Sequence, residues 1–252
     1  MPHAPASALL DAENDPRLGR THAERVSALG RARKIAKLCR GAMYVACAWL
    51  AVWPEPYPLV FTVVAALPWL AFLLCRKYRG AFAIDNPGRG GLRGDLTLLL
   101  AVPTGVLALR AVIDSHLVIV GPLFLPALAI WIALVGCAHS LGPGWRGWRR
   151  LPLLVLMTFP YPPGAIAIAD QVFDFEPPVS LLMPVTGKRA FSGRGRVLYL
   201  RVPAWGLRRR PNEIEVKPDL YSAVRVGDAV CLQVHPGALG IPWYEVQPGD
   251  RC

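Results

Sequence analysis

Residues 117–138 read LVIVGPLFLPALAIWIALVGCA, the longest uncharged run in the chain. About 20 apolar residues at roughly 1.5 Å each cover a hydrocarbon layer of about 30 Å, so the stretch predicts a transmembrane helix. Pro122 and Pro126 do not exclude it, because neighbouring helices can satisfy the backbone carbonyls they free.

Working outward, four more apolar blocks stand at 41–54, 57–75, 96–113 and 151–169. Together they predict about five transmembrane helices within a membrane domain at 25–169. The first block is short for a span and has a re-entrant hairpin as its alternative. The last carries FPYPPG at 159–164, whose prolines weaken it as a helix. Residues 25–40 carry only positive charge, with Arg33, Lys37 and Arg40 on one helical face, which reads as a helix lying on anionic lipid or simply as a cytoplasmic flank. Residues 1–24 read as a disordered cytoplasmic tail with no signal-peptide core.

A composition that is 54% hydrophobic argues against an ordinary soluble globule, and the net charge of +11 raises nucleic acid as a partner. Its distribution answers that question. Segments 1–40, 76–95 and 146–150 hold ten of the eleven net positive charges, and all three are a tail or loops between apolar blocks. They mark the cytoplasmic face, the lipid bilayer is the partner implied, and nucleic acid is not expected.

From Asp170 the apolar runs shorten and alternate, and 11 basic and 9 acidic residues mix. Strands are expected at 180–186, 196–202, 213–216, 229–235 and 243–246, with a helical turn at 218–224. This predicts a small β-rich, barrel-like module at 170–252, with Tyr199, Trp205 and Trp243 in its core. With five spans and a cytoplasmic N-terminus, the module lies outside the cytoplasm.

Few residues suggest chemistry. Arg110, near the end of a span, is either a substrate group or the partner of Asp114 in an i,i+4 ion pair. Asp114, Ser115 and His116 have the residue types of a hydrolase triad, but triad members meet through the fold and adjacency reads as a polar turn. Gly88, Gly90 and Gly94 lack the strand and helix a phosphate loop requires. His235, with no second ligand at metal spacing, reads as structural first and functional second. No catalytic residue, metal or cofactor is expected. Cys39, Cys47, Cys75 and Cys137 lie in or beside spans, whereas Cys231 and Cys252 share the module; an exported module predicts a disulfide between them.

The run GDAVCLQVHPGALGIPWYEV, followed by the terminal Cys252, resembles the tail of uncharacterised bacterial multi-pass inner-membrane proteins that close on a similar HPGALG-x-PWY stretch. The likeness is specific over 226–252 and looser from Asp170. It implies an inner-membrane protein and carries over no catalytic residue. The resulting expectation is a non-enzymatic membrane anchor presenting a periplasmic module to a protein or cell-wall partner. The alternatives are a transporter or channel subunit, motivated by Arg110 and the interrupted spans, and an immunity protein against a pore-forming toxin.

Overall fold

A computed structural model describes residues 15–84, 93–140, 151–192, 196–206 and 211–252. The chain forms two units. One runs to Asp114 and resumes over Phe124–Ile168; the other comprises Ser115–Leu123 and Ala169–Cys252. The expected tail up to residue 14, Gly88, Gly90 and the basic loop 146–150 lie outside the described residues.

The first unit is helical. Helix α1, His22–Val52, starts at a capping box in which the Thr21 hydroxyl accepts from the Glu24 N–H and the Glu24 carboxylate accepts back from the Thr21 N–H. Leu29, Ala32, Ala36, Met43, Cys47 and Leu50 are buried at helical spacing and form one stripe along its length. The helix therefore continues through the basic segment without a break before the expected short span. Its 31 residues reach about 46 Å, more than the hydrocarbon core requires. After Pro54 and Pro56, helix α2 covers Tyr57–Lys77. Strands β1, Phe82–Ala83, and β2, Gly94–Asp95, form a short parallel pair. Gly94 is needed there, because a Cβ would stand 2.8 Å from the Ala32 carbonyl oxygen of α1. Helix α3, Thr97–Asp114, follows, and α4, Phe124–Ser140, opens after a 3₁₀ turn at Gly121–Leu123.

Among the described residues, four helical stretches are long and apolar enough to cross a membrane: His22–Val52, Tyr57–Lys77, Thr97–Asp114 and Gly121–Ala138. The expected span at 151–169 is instead two helices, α5, Leu151–Thr158, and α6, Tyr161–Val172. Pro160 cannot donate to the ladder and the chain breaks there. Neither piece alone has the length of a span, yet α6 is the most enclosed helix, with Tyr161, Ala165, Ile166, Ala167 and Ile168 all buried. The Trp69 indole N–H donates to the Tyr161 hydroxyl at 3.0 Å, and that hydroxyl donates to the Ala65 carbonyl at 2.7 Å. Trp131 donates to the Thr158 hydroxyl at 3.2 Å. A Cβ on Gly164 would lie 2.9 Å from the Ala108 nitrogen and the Leu107 carbonyl carbon, so α6 meets α3 backbone against backbone.

The second unit is built of antiparallel strands. One sheet has the order β3–β7–β8, with β3 Val179–Pro184, β7 Ala229–His235 and β8 Trp243–Pro248; the other has β4–β5–β6, with β4 Gly187–Ser192, β5 Arg196–Val202 and β6 Asn212–Glu215. A short helix α7, Pro218–Ala223, precedes β7. The chain passes from the first sheet into the second through Val185 and Thr186, whose N–H groups donate to Asp228 and Arg201 carbonyls. The two sheets share one core that includes Leu198, Leu200, Ile214, Val230, Leu232 and Tyr244. The barrel expectation is corrected, since among the described residues the strands form two separate three-stranded sheets and not a closed barrel. Strand β4, over the run GKRAFS, is a further strand beyond the five expected. Of the three aromatics expected in the core, Trp205 is buried, while Tyr199 and Trp243 are only partly so.

Residues 117–120 do not begin the fourth span. Leu117 bridges Trp243, the Val118 N–H donates to the Pro242 carbonyl at 2.8 Å, and the Tyr244 N–H donates to the His116 carbonyl at 3.1 Å. Val118 joins the sheet core, so its hydrophobicity serves the second unit rather than a bilayer.

Candidate functional site

The segment HPGALGIPW at 235–243 connects β7 to β8 through a turn rich in backbone N–H groups. Gly237 and Gly240 supply φ values of 79° and 74°, which side chains resist. At Gly237 a Cβ would also collide with Asp170 Oδ2 and the Ile241 carbonyl.

Two acids at i,i+4 grip this turn. Asp170, in the last turn of α6, accepts from the N–H of Leu239 at 2.7 Å and of Ile241 at 3.4 Å through Oδ1, and its own carbonyl accepts from Ala238 at 3.0 Å. Asp174 Oδ2 accepts from the Gly237 N–H at 2.8 Å and from the Trp243 indole N–H at 3.1 Å. Asp170 is wholly buried. Burial raises its pKa, the two N–H donors oppose the rise, and the Asp174 charge adds to it. Asp170 Oδ2 has no hydrogen-bond partner among the described residues.

His235 and Trp243, singled out in the sequence, are cross-strand partners with rings stacked 3.8 Å apart at 10°. The stack covers one face of the imidazole, and His235 Nε2 is buried without a partner among the described residues. Asp170 and Asp174 were missed. The signal available was a D-x-x-x-D pair closing an apolar helix. Their oxygens are largely spent on backbone and indole N–H groups, which makes the arrangement a clamp on the turn.

Arg110 has a different setting. Its Nη2 meets Asp114 Oδ2 at 2.8 Å, and the Tyr57 hydroxyl donates to the same oxygen at 2.7 Å. The guanidinium also lies 6.0 Å from the Tyr57 ring centre. The ion-pair alternative thus accounts for Arg110, and the three groups tie the start of α2 to the end of α3. Asp114, Ser115 and His116 do not form a triad: Asp114 is engaged by Arg110 and Tyr57, and the His116 ring packs 5.5 Å from that of Tyr244.

Cys231 and Cys252 are disulfide-bonded, with Cα atoms 5.2 Å apart. Cys39, Cys47, Cys75 and Cys137 form no disulfide among the described residues. No group of three or more potential metal ligands occurs among the described residues. An open groove of about 790 Å³ lies on the β4–β5–β6 sheet, lined by Thr186, Arg201, Pro203, Pro211, Asn212 and Glu213. Glu213 there bridges Arg201 at 3.0 Å and Arg189 at 3.4 Å. Comparison with protein-family models, curated proteins and solved structures finds no match.

Proposed function

We propose that this chain is a non-catalytic protein of the bacterial inner membrane that crosses the bilayer five times and presents Ala169–Cys252 to the periplasm, where the module binds a protein or cell-wall partner. The observation that carries the reading is the membership of Ser115–Leu123 in the second unit. With a cytoplasmic N-terminus, α1, α2 and α3 bring the chain to Ser115–Leu123 on the periplasmic side, and α4 returns it. Residues 169 onward pair with Leu117 and Val118, which supports α5 and α6 together as a fifth, broken crossing. Irregular backbone within a bilayer is tolerated where protein encloses it, as it does around Tyr161 and Thr158.

Three features support the orientation and role. The basic segments 25–40, 76–95 and 146–150 all fall on the cytoplasmic side in this count. The disulfide suits an oxidising compartment. The resemblance over 226–252 points the same way, and the clamp explains its HPGALG-x-PWY stretch as a structural motif.

A transporter has the broken helix in its favour, since interrupted helices often expose backbone groups to a solute. Here the break offers little: Pro160, Pro162 and Pro163 have no N–H, the Tyr161 hydroxyl is engaged, and Arg110 is held by Asp114.

Reporter fusions test the topology. Alkaline phosphatase after Cys252 should be active and a fluorescent protein there dark, with the reverse at 141–150. Inactive phosphatase and a glowing fluorescent protein after Cys252 would remove the five-span reading.

A further inference from the structure

We infer that the cytoplasmic end of α1 is a binding site for the headgroup of an anionic phospholipid, an inference that rests on the membrane reading above. Two of the cations at this end of the unit are already paired. Arg40 Nη2 reaches the Asp95 carbonyl at 3.4 Å and its carboxylate at 3.9 Å, and Arg93 meets Asp15 at 3.4 Å. Arg31, Arg33, Lys34 and Lys37 are exposed and have no acidic partner among the described residues.

Their height along the helix is specific. Counting about 1.5 Å per residue from Val52, at the opposite end, Lys34 stands about 27 Å away and Arg31 about 31 Å, the two sides of a 30 Å hydrocarbon boundary. Helix α2 agrees: from Tyr57 to the exposed Arg76 is about 29 Å.

The face is equally specific. Leu38, Val45 and Val52 recur every seven residues and are 75%, 69% and 81% exposed. They form an apolar ridge that only lipid chains would cover in a membrane. Arg31 continues the ridge one heptad below Leu38, and Lys34 lies one turn below it. An acyl chain laid along Leu38 and Val45 thus ends where a phosphate meets Lys34 and Arg31, with Lys37 beside them. Each exposed cation at this height attracts an anionic surface, so Arg31, Lys34 and Lys37 together can distinguish anionic from zwitterionic lipid.

The test is native mass spectrometry of the full chain in detergent, with phosphatidylglycerol and phosphatidylcholine offered in equal amounts. The wild type should retain phosphatidylglycerol at least about fivefold over phosphatidylcholine, as about 1 kcal/mol of selectivity requires. The combined Arg31→Gln, Lys34→Gln, Lys37→Gln variant should fall to parity, and the charge-conserving Arg31→Lys, Lys34→Arg, Lys37→Arg variant should keep the preference. Excess inorganic phosphate should not displace the lipid. A wild type without preference, a glutamine variant that keeps it, or displacement by phosphate would each overturn the site. Recovery from the membrane fraction is scored separately, so failure of the lipid site and failure of the membrane reading give different results.

Discussion

The Tyr57 hydroxyl donates to the Asp114 carboxylate at 2.7 Å across 57 residues of sequence, on the same oxygen that Arg110 meets at 2.8 Å. A carboxylate shared in this way fixes the end of α3 against the start of α2 by charge-assisted bonds. Tyr57→Phe should therefore lower stability by about 1 kcal/mol, and Asp114→Ala by about 2 kcal/mol because Arg110 loses its counter-charge. Arg110→Lys should be tolerated, since lysine keeps the charge and can reach the same interface. Thermal unfolding in detergent ranks the three. A Lys variant that unfolds normally but abolishes a physiological output would give Arg110 a solute-handling role.

The Gly164 contact predicts a contrast between two glycines. Gly164→Ala places a methyl against the α3 backbone and should cost about 2 kcal/mol. At Gly105, also helical, a Cβ meets nothing within 4 Å. Gly105→Ala should be neutral or stabilising by up to about 1 kcal/mol. Equal effects in a melting assay would contradict the close approach of α6 to α3.

Asp170 gives a pH dependence with a defined sign. Burial raises its folded-state pKa, so between the unfolded value of about 3.9 and the raised value the folded state holds more proton than the unfolded one. Its contribution to stability falls as pH rises through that window and is constant above it. Asp170→Asn keeps an acceptor for the Leu239 and Ile241 N–H groups and removes the titration. The variant's melting temperature relative to wild type should be lower at the acid end of the window than above it. A difference that does not change with pH would show that Asp170 titrates as an exposed carboxylate does. Asp170→Ala, by stranding the N–H groups it holds, should cost about 2 kcal/mol above that window and more at its acid end.

The Cys231–Cys252 bond closes a loop with a sequence separation of 21 and should stabilise the second unit by about 3 kcal/mol in the chain-entropy model. Protein alkylated during extraction and analysed without reduction should carry no label at either cysteine. Label on both would remove the bond and weaken the periplasmic placement of the module.

What the sequence disclosed depended on whether a pattern had one physical explanation. Tyr57 and Thr97 open helices within a residue of their expected starts, because each apolar block there is bounded by prolines or charges. Arg25, Arg31 and Lys37 hid the true length of α1, since charges that mark a helix flank look alike whether the helix stops or continues. Leu117 and Val118 were assigned to a span because hydropathy registers burial in protein and in lipid alike. Lys188 and Arg189 belong to β4 because cross-strand pairing with Leu200 and Tyr199 outweighs the local turn signals of the glycines around them. His235 and Trp243 stood out singly in the sequence, one as a lone histidine and the other as a core aromatic, but Asp170 and Asp174, which organise their surroundings, act from more than sixty residues away. Such a distance is set by the fold: the D-x-x-x-D spacing marks the two acids but not what they hold.

Because residues 115–123 belong to the second unit, that unit cannot be moved between genes as a cassette. A fusion that begins at Ala169 would lack Val118 from its core and the backbone partners of Pro242 and Tyr244 on its β8 edge. During synthesis this small piece leaves the ribosome well before the strands it completes, so the unit waits on the three helices α4, α5 and α6 before it can close. Any selection acting on the module therefore also acts on the spacing between α3 and α4, and an insertion there would be felt at β8, more than one hundred residues downstream.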